Sequence, residues 1–147
     1  FDPAKKVYVK VKDRAGNDDH AEAQTVIGDV YSLRGILFDD EVASGGTVKT
    51  DVKILKTVNC KVELMVGIHP VLEPGAMAME TLRQTGITQF VFTNSIPLSG
   101  KPTDGLQITV LSVGGLLGEA IAREATHGSL TELHDPTKVH IYKSIPA

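Results

Sequence analysis

The segment with the clearest chemical character follows a short apolar run and contains two adjacent carboxylates and two adjacent glycines. We name residues Ser44, Gly45, Gly46 and Thr47 the phosphate cup. Glycines have no Cβ, so a tight loop can turn its backbone amides toward an anion. The two hydroxyls add donors, and a helix beginning near Thr47 would add the positive end of its dipole. The spacing therefore predicts a phosphate-binding loop.

The carboxylates of Asp39 and Asp40 precede the phosphate cup and would repel a phosphate. They are better suited to sugar hydroxyls or to Mg²⁺, which prefers oxygen ligands. The loop is not of the Walker type, because no lysine follows the glycines. An alternative is that Ser44 to Thr47 is an ordinary helix N-cap, since serine and threonine cap helices in many proteins. The paired carboxylates before the loop favour the ligand-binding interpretation.

Strands and helices alternate around this segment. The hydrophobic pattern predicts strands at 7–11, 36–38, 62–68, 90–93 and 108–111, and helices at 47–57, 75–84 and 116–125. This alternation indicates βαβ crossovers, hence an α/β fold with a mainly parallel sheet flanked by helices. The run 36–38 is expected to be buried on both faces of the sheet. The phosphate cup would then lie at the carboxyl ends of the strands, where such sheets bind ligands.

The bulk composition limits the classes of function. The 147 residues are 41% apolar and 22% charged, which suits one domain, 1–147. A net charge of −3 gives no general attraction for nucleic acid. Cys60 is the single cysteine, so a disulfide framework is impossible and a reducing, cytoplasmic location is expected. No apolar run reaches the roughly 18 residues that span a bilayer, so no membrane association is expected.

The pattern Asp-Asp-x-x-x-Ser-Gly-Gly-Thr after an apolar strand resembles the phosphoribosyl-diphosphate (PRPP) signature of type I phosphoribosyltransferases. Ribose-phosphate pyrophosphokinases, also called PRPP synthetases, share that fold and loop. Four further stretches resemble the C-terminal half of the synthetases in the same order: 26–30, 68–72, 91–96 and 111–121. Order and spacing agree from about Lys10 to about Leu133, which is most of the chain.

The resemblance implies a homo-oligomeric enzyme that transfers diphosphate from ATP to ribose 5-phosphate, with Mg²⁺, giving PRPP and AMP. The phosphate cup would hold the 5-phosphate, and Asp39 and Asp40 would lie at the ribose and the metal. Lys12 and Arg14 match a Lys-x-Arg pair on the family's catalytic loop. There they would neutralise charge on the transferred phosphoryl group. Without the resemblance, Lys12 and Arg14 would be interpreted as an ordinary solvated strand end.

The sequence also departs from the synthetase pattern. Ala43 stands where an aspartate is usual, and Ile68 replaces the threonine before His69, a residue that we interpret as shaping its loop. Neither a Pro-Asp-x-Gly-Gly loop nor an N-terminal half is present. We therefore expect the chain to be the C-terminal part of a longer two-domain protein. The alternatives are a catalytically silent regulatory homologue and a phosphoribosyltransferase that uses PRPP on a nucleobase, for which no hood segment is found.

Overall fold

The computed structural model describes residues 29–135 and 144–145. In chain order the elements are β1 (Arg34–Glu41), α1 (Gly46–Thr57), β2 (Lys61–His69), α2 (Gly75–Thr85), β3 (Gln89–Thr93), β4 (Gln107–Leu111), α3 (Gly114–Ala125), a 3₁₀ turn (Thr131–His134) and β5 (Ser144–Ile145). The predicted strand at 7–11, with Lys12 and Arg14, lies outside the described residues. None of the described helices has the length and apolar character that a bilayer-spanning segment needs.

The strands form one sheet in the order β1-β2-β3-β4-β5. The first four strands are parallel, and β5 pairs antiparallel with β4. Helices α1 and α2 form the crossovers from β1 to β2 and from β2 to β3, whereas the connection from β3 to β4 contains no helix. The predicted α/β fold with a mainly parallel sheet is confirmed.

The core lies between the sheet and helices α1 and α2. Leu37, Met65 and Phe90 are register partners across β1, β2 and β3, so their side chains share one face of the sheet. On the helices, the buried apolar residues recur at helical spacing: Val48, Val52, Leu55, Ala78, Met79 and Leu82. Cys60 is a buried member of this core.

The opposite face of β1 is open within the described part of the chain. Ile36 is 46% exposed and Phe38 is 75% exposed, although both were expected to be buried. The expectation of burial on both faces was wrong here, because a short apolar run does not reveal how many faces of a sheet are covered. The helices α1 and α2 cover the face of Leu37.

The carboxyl ends of β1 and β2 approach closely at Gly67. A Cβ on this glycine would lie 2.8 Å from Phe92 Cε1 and 2.9 Å from Val42 Cγ2. Both neighbours are buried, so neither can move away freely. Gly67 therefore lets β2 approach both the Phe92 ring on β3 and Val42, the first residue after β1.

Candidate phosphate-binding site

The phosphate cup joins the end of β1 to the start of α1. Gly45 has a left-handed conformation, with φ 78° and ψ 4°, and its carbonyl accepts a hydrogen bond of 3.0 Å from the Lys49 amide. This conformation suits glycine and reverses the chain before the first helical turn. A pocket of ≈ 200 Å³ opens at this point. Its lining residues come from β1, the loop and the first turn of α1: Asp39, Glu41, Val42, Ala43, Ser44, Gly45, Gly46, Thr47 and Val48.

The pocket combines a packed floor with an accessible rim. Val42, Gly45 and Val48 are buried, whereas Ser44, Gly46 and Thr47 are exposed. An anion could therefore reach the hydroxyls and the first amides of α1 without moving the core. The floor is also tied to the next strand, because the Val42 amide donates to the His69 carbonyl at 3.0 Å.

The start of α1 does not have an ordinary side-chain cap. The N-cap residue is Gly45, which has no side chain, and no side-chain cap hydrogen bond is formed. Ser44 Oγ accepts only a long hydrogen bond of 3.4 Å from the Gly46 amide. The first amides of a helix have no intrahelical acceptor, and no acidic residue occupies the first turn of α1. These donors are available to an anion, which favours the phosphate-binding interpretation over the N-cap alternative.

The two adjacent carboxylates differ in burial but interact with each other. Asp39 is half-buried and lines the pocket, whereas Asp40 is exposed and does not line it. Successive Cβ atoms of a strand point to opposite faces, which accounts for the difference in burial, although the two carboxyl groups still share a side-chain hydrogen bond. Burial raises the pKa of Asp39, and the neighbouring Asp40 raises it further. The Oδ1 atom of Asp40 accepts a hydrogen bond of 3.0 Å from the Glu41 amide.

Two further carboxylates near the pocket were not among the residues predicted from the sequence. Glu41 lines the pocket directly. Asp51 lies on α1, and its Oδ1 atom is buried without a hydrogen-bond partner in the described residues. Burial raises the pKa of Asp51 from 3.8 to about 6, and the charge of Asp39 contributes. The sequence signal for Asp51 was its i+4 spacing from Thr47, which places both on one side of the helix.

The side chains around the pocket could supply only some of the ligands that a Mg²⁺ ion needs. Within residues 29–135 and 144–145 no group of three or more His, Cys, Asp or Glu side chains could hold a metal ion. Magnesium is usually held by one or two carboxylates together with water and the phosphates of a substrate. Asp39 can supply such a carboxylate at the pocket wall. The described residues thus suit a metal that arrives with its ligand, rather than a metal centre made by protein alone.

Taken together, the parallel sheet and the glycine loop at a strand end define an α/β protein with a candidate anion-binding site at the carboxyl edge. Comparisons with known proteins narrow this class. No family model matches the chain. The chain is 39% identical over 114 residues to the ribose-phosphate pyrophosphokinase of Parasynechococcus marenigrum, a match covering 77% of this chain and 34% of the relative. It is 36% identical over 126 residues to the pyrophosphokinase of Brucella melitensis, covering 86% and 39% respectively.

A solved structure gives the same result. The crystal structure of phosphoribosylpyrophosphate synthetase from Mycobacterium smegmatis matches with a TM-score of 0.60 and 32% identity, over 69% of this chain and 33% of that one. The resemblance found in the sequence is confirmed, and the chain is a relative of the ribose-phosphate pyrophosphokinases. It spans little more than a third of the length of these relatives.

Proposed function

We propose that this chain carries the ribose 5-phosphate site of a ribose-phosphate pyrophosphokinase, which transfers diphosphate from ATP to ribose 5-phosphate. The open phosphate cup at the end of β1 is the observation that carries this proposal. Its donors are uncharged amides and hydroxyls at a helix start, an arrangement that favours a phosphate dianion. The similarity to pyrophosphokinases supports the choice of a pentose phosphate over other phosphorylated ligands.

In the proposed complex Ser44, Gly45, Gly46 and Thr47 bind the 5-phosphate. The ribose extends from the phosphate cup toward the end of β1, where Asp39 and Asp40 bind its hydroxyls and a Mg²⁺ ion. Bound Mg²⁺ would neutralise charge on the phosphates of ATP. The raised pKa of Asp39 means that this carboxyl binds a proton more readily than an exposed one, so a cation beside it would favour its ionised form.

Lys12 and Arg14 are proposed to act at the other substrate. Their two positive charges would stabilise the charge that develops on the transferred phosphoryl oxygens. We further propose that the chain forms one phosphoribosyltransferase-like domain of a longer, cytoplasmic, homo-oligomeric protein. ATP and ribose 5-phosphate would be its ligands.

A binding experiment tests the site. Ribose 5-phosphate and inorganic phosphate are titrated calorimetrically into the 147-residue chain and into Gly46→Val. A Cβ at Gly46 would lie 3.4 Å from Ser44 Oγ, so the two valine methyls would reach into the phosphate cup. We expect at least a roughly tenfold loss of affinity for both ligands, about 1.4 kcal/mol.

The matched control is Gly118→Val, also on a helix, where a Cβ would meet nothing within 4 Å. This variant should bind both ligands as the unchanged chain does. If a folded Gly46→Val variant also kept its full affinity, the assignment of the phosphate cup would be overturned.

Activity is tested by AMP formation from ATP and ribose 5-phosphate with Mg²⁺, in the full-length protein. A silent regulatory homologue is the second candidate, favoured by Ala43, whose exposed methyl side chain offers no hydrogen bond to a sugar. Turnover that depends on both substrates supports the enzyme. Binding of ribose 5-phosphate without turnover above background would favour the silent homologue.

A further inference from the structure

His69 is the last residue of β2 and lies directly beside the pocket. Its Cα is the register partner of Glu41, a residue of the pocket lining. Neighbouring strands are about 4.8 Å apart, so the backbone of His69 lies about that far from Glu41 in the pocket wall. The His69 carbonyl accepts hydrogen bonds from the amides of Val42 at 3.0 Å and Val71 at 2.9 Å.

These carbonyl contacts shape the loop, but they use only the backbone of His69. Any residue at this position could supply the same carbonyl oxygen. A role limited to loop shaping therefore does not account for the imidazole itself. The ring requires an explanation of its own.

The imidazole is held by one nitrogen. Nδ1 lies 2.9 Å from Ser95 Oγ, at the end of the next strand. Ser95 is itself fixed, because its amide donates to Thr93 Oγ1 at 3.1 Å and its hydroxyl lies 2.9 Å from the Ile68 carbonyl. A hydrogen bond to one ring nitrogen sets the orientation of the other. Ser95 is therefore a positioning residue for the ring.

The second nitrogen of the ring is left for a ligand. His69 is exposed, and in the described part of the chain its side chain makes its hydrogen bond through Nδ1, not through Nε2. The serine hydroxyl can donate to Nδ1 or accept from it, so Nε2 can be the donor or the acceptor in a neutral ring. A sugar hydroxyl suits both cases, because it can donate and accept. A phosphate dianion only accepts hydrogen bonds, so it could bind Nε2 only when this nitrogen is the donor.

We infer that His69 Nε2 binds a hydroxyl of the pentose whose 5-phosphate occupies the phosphate cup. This inference rests on the proposed function and adds a sugar contact from β2 to those from β1. It assigns the specificity for a sugar to His69 and Ser95, and the affinity for phosphate to the phosphate cup.

The test separates sugar binding from phosphate binding. In His69→Asn the shorter amide can still bond with Ser95 but cannot reach outward as Nε2 does. We expect a loss of affinity for ribose 5-phosphate of about fivefold to tenfold, the size of one hydrogen bond. Affinity for inorganic phosphate should be unchanged. The glutamine side chain of His69→Gln reaches further, so this variant should bind ribose 5-phosphate more tightly than His69→Asn does. Ser95→Ala should lose an intermediate amount of that affinity.

Two results would overturn the inference. One is unchanged affinity of His69→Asn for ribose 5-phosphate. The other is an equal loss for inorganic phosphate, which would show that His69 acts through the shape of the phosphate cup. If the asparagine variant does not fold, Ser95→Ala gives the same comparison, with a smaller expected loss for ribose 5-phosphate. An unchanged chain that binds neither ligand would instead refute the proposed function, and this inference with it.

Discussion

Gly45 lies directly against Leu82, so that a Cβ on the glycine would be 3.1 Å from Leu82 Cδ2 and 3.4 Å from Leu82 Cγ. Leu82 belongs to α2 and is fully buried, so it cannot yield easily. The floor of the phosphate cup is thus packed on the second helix of the sheet. The left-handed φ of 78° is a second reason why this position suits glycine better than any residue with a side chain.

Gly45→Ala is expected to destabilise the fold and to distort the phosphate cup. The left-handed conformation alone costs alanine about 1–2 kcal/mol, and the contact with Leu82 adds to it. Urea unfolding followed by circular dichroism measures the change. Gly100→Ala is the matched control, because Gly100 has φ 79° but a Cβ there would meet nothing within 4 Å. Equal losses in the two variants would contradict a role for the Leu82 contact.

Asp51→Asn is expected to change how stability depends on pH. Because burial raises the folded-state pKa of Asp51 to about 6, the folded chain holds this proton more tightly than the unfolded chain does. The stability from this group is therefore fully present below pH 3.8 and is lost as pH rises to about 6. Because asparagine does not ionise, the Asp51→Asn variant does not lose stability in this way as the pH rises.

We therefore expect the free energy of unfolding of Asp51→Asn, relative to the unchanged chain, to increase from about pH 4 to about pH 6 and then to level off. Urea unfolding at several pH values measures it. Asp104→Asn, in an exposed loop, is the control for the loss of one carboxylate. A pH-independent difference for Asp51→Asn would refute the assignment.

Lys101 is expected to stabilise the loop between β2 and α2. Its side chain is only 10% exposed, and Nζ donates to the carbonyls of Val71 at 2.6 Å and Leu72 at 3.3 Å. Lys101→Met keeps the apolar stem but leaves these carbonyls without their donor, which should cost about 1–3 kcal/mol. Chemical denaturation measures the loss.

The control for Lys101 is its ion-pair partner. Glu73 Oε1 lies 3.0 Å from Lys101 Nζ, but the Glu73 side chain is 67% exposed. Glu73→Gln should therefore cost much less than Lys101→Met, since exposed ion pairs contribute little. If Glu73→Gln proved as costly as Lys101→Met, the ion pair rather than the carbonyl contacts would hold the loop.

The proposed roles of Lys12 and Arg14 predict a particular kinetic pattern. Alanine at either position should lower the rate of AMP formation by at least about tenfold, because positive charge at the transferred phosphoryl group stabilises the transition state. The affinity for ribose 5-phosphate should change much less. Steady-state kinetics and calorimetry on the full-length protein give the two values. The opposite pattern would make Lys12 and Arg14 binding residues.

The elements that position the site could be predicted from hydrophobic periodicity. The helix expected at 47–57 is Gly46–Thr57, and the strand expected at 62–68 is Lys61–His69. The strand expected at 36–38 is longer, Arg34–Glu41, because its polar ends pair with β2 through backbone hydrogen bonds that side-chain hydrophobicity does not record. This extension places Asp39 and Asp40 within the strand, where alternation between the two faces explains their different burial.

Contacts between distant segments could not be predicted in the same way. The packing of Gly45 on Leu82 and the contact of His69 with Ser95 depend on the order of strands in the sheet. The exposure of Phe38 depends on which face the helices cover, a property of three-dimensional packing. The predicted roles of Lys12 and Arg14 stay predictions, because both residues lie outside the described ranges.

The strand order has a consequence for how the chain folds. Each parallel strand from β1 to β4 pairs with the strand that comes next in the sequence. Closing short loops between successive elements loses less chain entropy than joining distant ones, and such local topologies fold faster. During synthesis each new strand can dock on the one made just before it, so the four parallel strands can assemble in the order in which they are synthesised.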